Sequence, residues 1–537
     1  MREIIGAINQ NGLEPMFQIS TFFNKTPHSK SWTYPESQMP VFDLHMNFEN
    51  HSIYEDQTAL LISMGFLEEH ELKTLSKKLQ NNAIYDLREQ AVAGLIYYDK
   101  ITRQCFLMTD LMGCSPIYYF QHQGTLIFAS RQDLIIQNIK ERWQLNTSLL
   151  FEWLHVGIIN PPNTLIQNIK SIPVSQFLKT SPSNELRSFQ FPIPDYEDFS
   201  TQLMKQKLKD GFDLSLETMD ILCSGGLDSS VLVALACKQL NKPVRAHTIS
   251  LSNDGYEYQT TQILQQALNI DIHYFKSHPE QVFYHIDQSI RQGESEVVGI
   301  LSVNASMEHL FAQHVNQYSM NMITGDDNAI TPSSILSQSP GYYHLKYGFL
   351  NPDQSKKLLK NNPLAFLSYI NQSKKLFTER PSYGVYKAQR LNIHATMIGK
   401  IIAKYRLGMD DIGQCMMPLN HSQYRQYIDR INYHHGHDGF DYRTALKEML
   451  IGENMLAASY FSQPKGWMPH IWSLESAKPF LQKMFDAVVT KDSILNDVFD
   501  KAFLKTCLRP TDNEYAVGLL CAMYYLQRFC AIFALEV

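Results

Sequence analysis

Cysteine is sparse in this chain of 537 residues: the eight are Cys105, Cys114, Cys223, Cys237, Cys415, Cys507, Cys521 and Cys530. They form no CxxC pair and no dense framework, which excludes a disulfide scaffold and fits a reducing cytosol. A basic excess is also lacking. Lys and Arg total 47 against 53 Asp and Glu, a net charge of −6. No basic stripe stands out, so no nucleic-acid partner is expected. The opening "MREIIGAINQNGLEP" has no basic-then-apolar signal pattern, so no export and a cytoplasmic location are expected. The one long apolar run, "YAVGLLCAMYYLQRFCAIFAL", is interrupted by Gln527 and Arg528 and is barely long enough to span a bilayer. It reads as a buried or half-buried terminal helix, and no membrane partner is expected. Internal repeats and low-complexity segments are absent.

What is present is ordinary globular composition, 44% apolar and 19% charged, in a length that suits two or three domains. The first part, to about residue 190, is strand-rich: "AVAGLIYYD", "QCFLMTD" and "SPIYYFQHQGTLIFAS" are short aromatic and β-branched runs broken by turn residues. Residues 181–198, "SPSNELRSFQFPIPDYED", read as a linker rich in Pro, Ser and charge. Beyond it, strands such as "VRAHTISLS" and "YSMNMITG" alternate with helical segments such as "EYQTTQILQQAL". That alternation predicts a parallel sheet with helices on both faces. From about residue 345 the pattern is mostly helical.

The most informative stretch is "DILCSGGLDSSVLVALACKQL", residues 220–240. A strand runs into a small polar turn and then a helical segment. Unsatisfied backbone N–H groups at a helix N-terminus, aided by the helix dipole, favour an anion there. Gly225 and Gly226 let the backbone approach a phosphate closely. Ser224, Ser229 and Ser230 add hydroxyl donors. Asp228 is a misfit beside phosphate unless it holds a cation, which implies Mg2+. The lysine of a G-x-x-x-x-G-K-[ST] loop is missing, which excludes a standard kinase or GTPase loop. A plain helix cap also accounts for Ser, Gly and Asp at such a place.

The stretch SGGLDSS resembles the pyrophosphate loop of ATP pyrophosphatases, which activate a carboxylate or carbonyl as an adenylate. "TDLMGCSPIYYFQHQGTLIFASRQDLI" resembles the asparagine synthetase pattern D-x-x-G-x-x-P-L-Y-Y followed by F-A-S-E. "NTLIQNIKSIPVSQFL", "MMPLNHSQY" and "LAASYFSQPKGW" are similar to its following segment, its P-F-L-D segment and its late lysine-bearing loop. The resemblance spans most of the chain. It implies an α/β fold: an N-terminal Ntn-hydrolase-like αββα sandwich over residues 1–190, then an ATP-pyrophosphatase synthetase domain over residues 200–537 with a parallel sheet flanked by helices and a helical C-terminal part. It also implies ATP and Mg2+ as cofactors. ATP would be bound by Cys223, Ser224, Gly225, Gly226, Leu227, Asp228, Ser229, Ser230, Leu251, Thr324 and Gly325, with Leu251 at the strand whose backbone holds adenine in the family. Asp228 and Asp327 would bind the metal. Lys465 would stabilise charge as acyl transfer proceeds, with Asp326 as a second catalytic candidate.

Departures from the family refine the expectation. Glutamine-dependent asparagine synthetases use a cysteine at position 2, whose own α-amine acts as base. Position 2 here is Arg2, and the first cysteine is Cys105. The N-terminal domain is therefore expected to be catalytically dead. β-Lactam and carbapenam synthetases and lasso-peptide cyclases share this loss and close a ring with an amine of the substrate itself. The β-lactam type uses a Tyr–Glu pair. Asp326 stands where its tyrosine would fall, and Ile393 and His394 near its glutamate. That disfavours β-lactam formation and favours the lasso-cyclase branch. The family's G-x-G-x-D stretch is altered to "ITGDDNAITP", which leaves Asp326 and Asp327 both able to serve the metal.

Two other groups invite attention. His434, His435, His437 and Asp438 in "NYHHGHDGFDYR" look like a metal cluster, but a polar loop explains them better. Glu294 and Glu296 in "GESEVVG" match family acidic positions near the substrate pocket, and a solvated helix end explains them nearly as well. The expected function is ATP-dependent macrolactam closure of a precursor peptide, with a leader-peptide protease as partner. The alternatives are an amide synthetase using ammonia or a small-molecule amine, and a degenerate non-catalytic homologue.

Overall fold

The structure, a computed structural model, describes residues 3–9, 29–36, 39–47, 53–64, 69–81, 94–109, 115–150, 153–154, 159, 161–173, 176–180, 186–188, 197–251, 255–293, 302–319, 321–325, 414–435, 442–462, 471–508 and 514–536. Twelve strands come first among these: β1 (Glu3–Asn9), β2 (Ser29–Glu36), β3 (Met39–Asn47), β4 (Ile53–Glu55), β5 (Ala59–Ser63), β6 (Leu95–Asp99), β7 (Cys105–Met108), β8 (Tyr118–His122), β9 (Thr125–Ala129), β10 (Lys170–Ser171), β11 (Gln176–Lys179) and β12 (Leu186–Ser188). They form two six-stranded sheets, ordered β10-β8-β9-β1-β3-β2 and β12-β11-β7-β6-β5-β4.

Alternation along each strand explains the layering. In β1, Ile4 and Ile8 enter the core between the sheets with Phe42, Leu44, Leu60, Ile62 and Ile96. Ile5 and Ala7 point the other way, where Leu134 and Ile135 of the helix Gln132–Asn138 cover that face. The outer face of the second sheet, with Tyr97, Phe106 and Phe177, is covered by Leu72, Leu75 and Leu79 of the helix Glu69–Gln80. The result is the helix–sheet–sheet–helix sandwich expected from the sequence. One correction concerns the linker. Leu186–Ser188 lies within it, yet it pairs antiparallel with β11 as an edge strand. Its Leu-Arg-Ser sequence carries little strand signal, and the pairing partner supplies what composition did not.

The second half contains β13 (Met219–Leu222), β14 (Val244–Ser250), β15 (Asp271–Lys276), β16 (Asn321–Thr324) and β17 (Gln414–Met416), all parallel, in the order β15-β14-β13-β16-β17. Central β13 is buried along its whole length, as a strand covered on both faces must be. One face packs on the helix Leu227–Lys238, apolar all round and buried among Met204, Leu208, Leu446 and Leu450. The other packs through Leu222 and Met322 on Phe311, Ala312 and Val315 of the helix Ser302–Asn316. Asp220 lies inside this sheet, and its carboxylate accepts from Arg245 Nε at 2.9 Å and His247 Nε2 at 2.6 Å. A carboxylate so buried persists only when its partners replace water.

The terminal apolar run forms the helix Glu514–Ile532, packed on the helices Lys478–Val489, Pro279–Gly293 and Ser302–Asn316 within a large cluster that also includes Tyr118 and Phe120. Behind it, Leu145 N–H donates to the Glu536 carbonyl at 2.7 Å, and Glu536 N–H donates to the Trp143 carbonyl at 2.9 Å. Among the described residues, no helix is long and apolar enough to cross a membrane.

Candidate active site

The site forms where β13 ends. Parallel strands leave their carboxyl ends and the following helix N-termini at one edge of the sheet, the usual place for a ligand in such folds. Cys223 N–H still donates to the His247 carbonyl at 2.8 Å, so the ladder holds through Cys223 and releases the chain at Ser224. Gly225 then takes φ +73°, and a Cβ there would stand 2.6 Å from Thr260 Cβ. Only glycine fits both demands. Gly226 is extended at φ −69°, ψ 165° and is the residue before the helix Leu227–Lys238. Among the described residues, a Cβ on Gly226 would meet only Ser224 Oγ, at 3.2 Å. Among these residues the turn is therefore closed on the Gly225 side and open on the Gly226 side. An open turn of backbone N–H groups at a helix start fits an anionic group such as the phosphates of ATP.

The hydroxyls divide by direction. Ser224 is exposed at the open side, and its Oγ accepts from Gly226 N–H at 3.3 Å. Ser229 Oγ accepts from Ser224 N–H at 3.2 Å and reaches the Gly226 carbonyl at 3.2 Å, tying the turn to the first helical turn. Ser230 departs from the expectation of a donor into the mouth. It is fully buried, and its Oγ lies 2.7 Å from the hydroxyl of Tyr460. One residue beyond Ser229 in the helix, position 230 is turned roughly 100° further round the axis, away from Ser229. Cys223 is fully buried as well, and burial pushes its thiol up to about 11. It fills space beneath the turn rather than reacting.

Asp228 lies in the first helical turn, half-buried, with its Oδ2 accepting from Arg443 Nη2 at 3.1 Å. Thr324, in register with Leu222 on the neighbouring strand, ends β16. Gly325 then passes so close that a Cβ would stand 2.7 Å from Ser229 N and 2.9 Å from Asp228 C. Leu251 follows β14 directly, half-buried against the large apolar cluster. The parallel order thus gathers Cys223 through Ser230, Leu251, Thr324 and Gly325 at one edge. Asp326, Asp327 and Lys465 lie outside the described residues, as do Arg2, Glu294, Glu296, Ile393, His394, His437 and Asp438. Among the described residues, no group of three or more His, Cys, Asp or Glu is arranged to hold a metal.

Three contributors were missed in the sequence. Arg443 opens the helix Tyr442–Gly452, Tyr460 sits in the short 3-10 turn Ala458–Ser462, and Thr260 lies in the helix Tyr256–Leu268. Each reaches the turn only through the fold, and no local pattern marks any of them.

Comparison with known proteins gives two family matches. Residues 90–190 match the glutamine amidotransferase domain, and residues 218–326 match asparagine synthase. The second match starts just before β13 and ends at Asp326, so it encloses the turn. Together they support an asparagine synthetase-like family and an ATP-dependent carbon–nitrogen ligase. No curated protein matches the chain. Among solved structures, the U34-tRNA thiolase NcsA from Methanococcus maripaludis is 13% identical over 36% of this chain and 78% of that one, at a TM-score of 0.20. NMN synthetase from Francisella tularensis is 21% identical over 51% and 99%, at a TM-score of 0.21. Glutamine phosphoribosylpyrophosphate amidotransferase from B. subtilis is 8% identical over 52% and 82%, at a TM-score of 0.22. Superpositions at that level carry no argument about this chain.

Proposed function

We propose that this chain is an ATP-dependent amide synthetase that closes a macrolactam in a precursor peptide, in the manner of lasso-peptide cyclases. The observation that carries the synthetase reading is the approach of Gly325 to the Asp228–Ser229 backbone. It brings the chain leading into Asp326 and Asp327 to the rim of the SGG turn, where Asp228 stands. A carboxylate in the first helical turn, Asp228, beside an anion-binding turn suits a metal–triphosphate. Asp228 and Asp327 would hold Mg2+, which when bound offsets the charge of the phosphates and polarises them.

The reaction balances without other reactants. A side-chain carboxylate of the peptide attacks the α-phosphate of ATP, and pyrophosphate leaves. The backbone N–H groups at Gly226 and the helix start receive the departing anion. The peptide's N-terminal amine then attacks the acyl carbon, an amide forms, AMP leaves with the bonding electrons, and the amine gives up a proton. Lys465 stabilises the negative charge that develops during this transfer. Holding both ends of one peptide in one cavity removes much of the entropic barrier.

We read residues 1–190 as a glutaminase-like domain without glutaminase chemistry and residues 200–537 as the synthetase domain. In support, Cys105 is fully buried in β7, and burial pushes its thiol well above the ordinary cysteine range. The amine then comes from the substrate, and a leader-peptide protease would expose it. The test is mass spectrometry for loss of one water from peptides with a free N-terminus and an internal Asp or Glu, run beside a pyrophosphate assay with Mg-ATP. Cyclised product with stoichiometric pyrophosphate supports the reading. Product only with ammonia or a small amine would make the chain a simple amide synthetase. ATP binding without pyrophosphate release in the presence of any peptide or small acid would favour a non-catalytic homologue.

A further inference from the structure

We propose that Tyr460 is a positioning residue for the nucleotide: its hydroxyl fixes the Gly225–Gly226 peptide so that the Gly226 N–H faces the open side of the turn. The inference rests on the reading of that turn as the pyrophosphate site. Tyr460 Oη lies 2.8 Å from the Gly225 carbonyl oxygen and 2.7 Å from Ser230 Oγ. A phenol has one proton, and a carbonyl only accepts. The Tyr460 proton therefore goes to Gly225, and Ser230 must donate to Tyr460. The hydrogen bonds run in one direction: Ser230 to Tyr460 to Gly225.

The Gly225 carbonyl and the Gly226 N–H belong to one planar peptide and point opposite ways. With the carbonyl held into the core, the N–H is directed outward. Two observations agree. The Gly226 N–H meets the hydroxyl of Ser224, an exposed residue, at 3.3 Å. Among the described residues, the position of a Gly226 Cβ is otherwise open. Between two glycines this peptide has little of its own to hold one orientation, because glycine populates both signs of φ. Tyr460 itself is held firmly. It is 6% exposed in the core around the helix Leu227–Lys238 and meets Phe461 edge-on at 5.2 Å. Burial pushes the phenol above its ordinary range, so it stays a donor throughout the working pH range.

Tyr460→Phe removes the hydroxyl and keeps the ring. Titration of the full-length chain with Mg-pyrophosphate, Mg-ATP and AMP reads the effect. Pyrophosphate and ATP are expected to bind about 3- to 10-fold more weakly, the size of one lost hydrogen bond, while AMP binding is unchanged. The KM for ATP should rise in the same ratio with kcat little altered. Ser230→Ala removes the donor to Tyr460 but leaves the bond to Gly225, so its loss should be smaller and in the same direction. Equal weakening of AMP and pyrophosphate, or unchanged pyrophosphate binding, in Tyr460→Phe would overturn the proposal. If Tyr460→Phe does not fold, Ser230→Ala decides, and a loss confined to pyrophosphate and ATP, with AMP unchanged, supports the relay while none overturns it. A wild-type chain that binds neither ATP nor pyrophosphate would instead overturn the nucleotide reading beneath it.

Discussion

Arg443 Nη2 stands 3.1 Å from Asp228 Oδ2, an ion pair between two residues 215 positions apart. Both side chains are partly exposed, at 40% and 23%, so the pair adds little to stability, ~0–1 kcal/mol. Its interest is functional, because it places a guanidinium beside the carboxylate that would hold the cation. Asp228→Asn should leave the urea midpoint nearly unchanged and lower pyrophosphate release by about 100-fold or more, the scale of one oriented electrostatic group. Normal pyrophosphate release by the asparagine variant would remove Asp228 from the metal site.

The two glycines of the rim differ in what they tolerate. At Gly325 an added Cβ meets backbone atoms of Asp228 and Ser229 within 2.9 Å, and backbone cannot move aside cheaply. Gly325→Ala should cost about 1–3 kcal/mol of stability and disturb turnover. Among the described residues, Gly226→Ala meets only the side-chain oxygen of Ser224, so its stability cost should be smaller. Urea unfolding of both variants gives the ranking, and equal costs would contradict the packing described.

Lys465→Ala tests the chemistry rather than the fold. Charge that develops only in the transition state makes a stabilising ammonium act on kcat more than on KM. The variant should fold, bind ATP and lose about 100- to 1,000-fold in product formation. Lys465→Arg should rescue only in part, since a planar fork presents its charge differently from a compact ammonium. Near-normal product from the alanine variant would make Lys465 an ordinary surface residue.

A fourth prediction concerns pH. His285 Nε2 and His309 Nδ1 lie 2.6 Å apart between the helices Pro279–Gly293 and Ser302–Asn316, one ring donating and the other accepting. Burial pushes His285 down from 6.5 to about 4. Above the unfolded value both states are neutral, so nothing depends on pH. As pH falls below 6.5 the unfolded chain takes up a proton that the folded chain refuses until about 4, so stability drops across that window. The loss is on the order of 1–3 kcal/mol. Urea midpoints measured through the window should show this slope, and His285→Gln should flatten it. An unchanged slope in the variant would assign the acid sensitivity to other groups.

The SGGLDSS stretch announced a strand, a turn and a helix because its pattern is local: apolar residues, then glycines, then a capped apolar run. The same logic made β6–β9 and the parallel alternation legible. β12 was hidden because three residues of mixed character become a strand only when β11 offers an edge. β17 was hidden likewise, as a short strand added far along the chain beside β16.

By itself, the sequence determined which residues carry the turn, the all-round apolar helix behind it and the resemblance that suggests adenylation. Those features depend on neighbours within a few residues. Tertiary structure alone decided which way each hydroxyl faces, that Ser230 serves the core and Ser224 the mouth, and that Arg443, Thr260 and Tyr460 converge on a turn some thirty-five to more than two hundred positions away. Direction and long-range convergence follow from packing two sheets and their helices together, and a one-dimensional pattern of residue types carries no record of them.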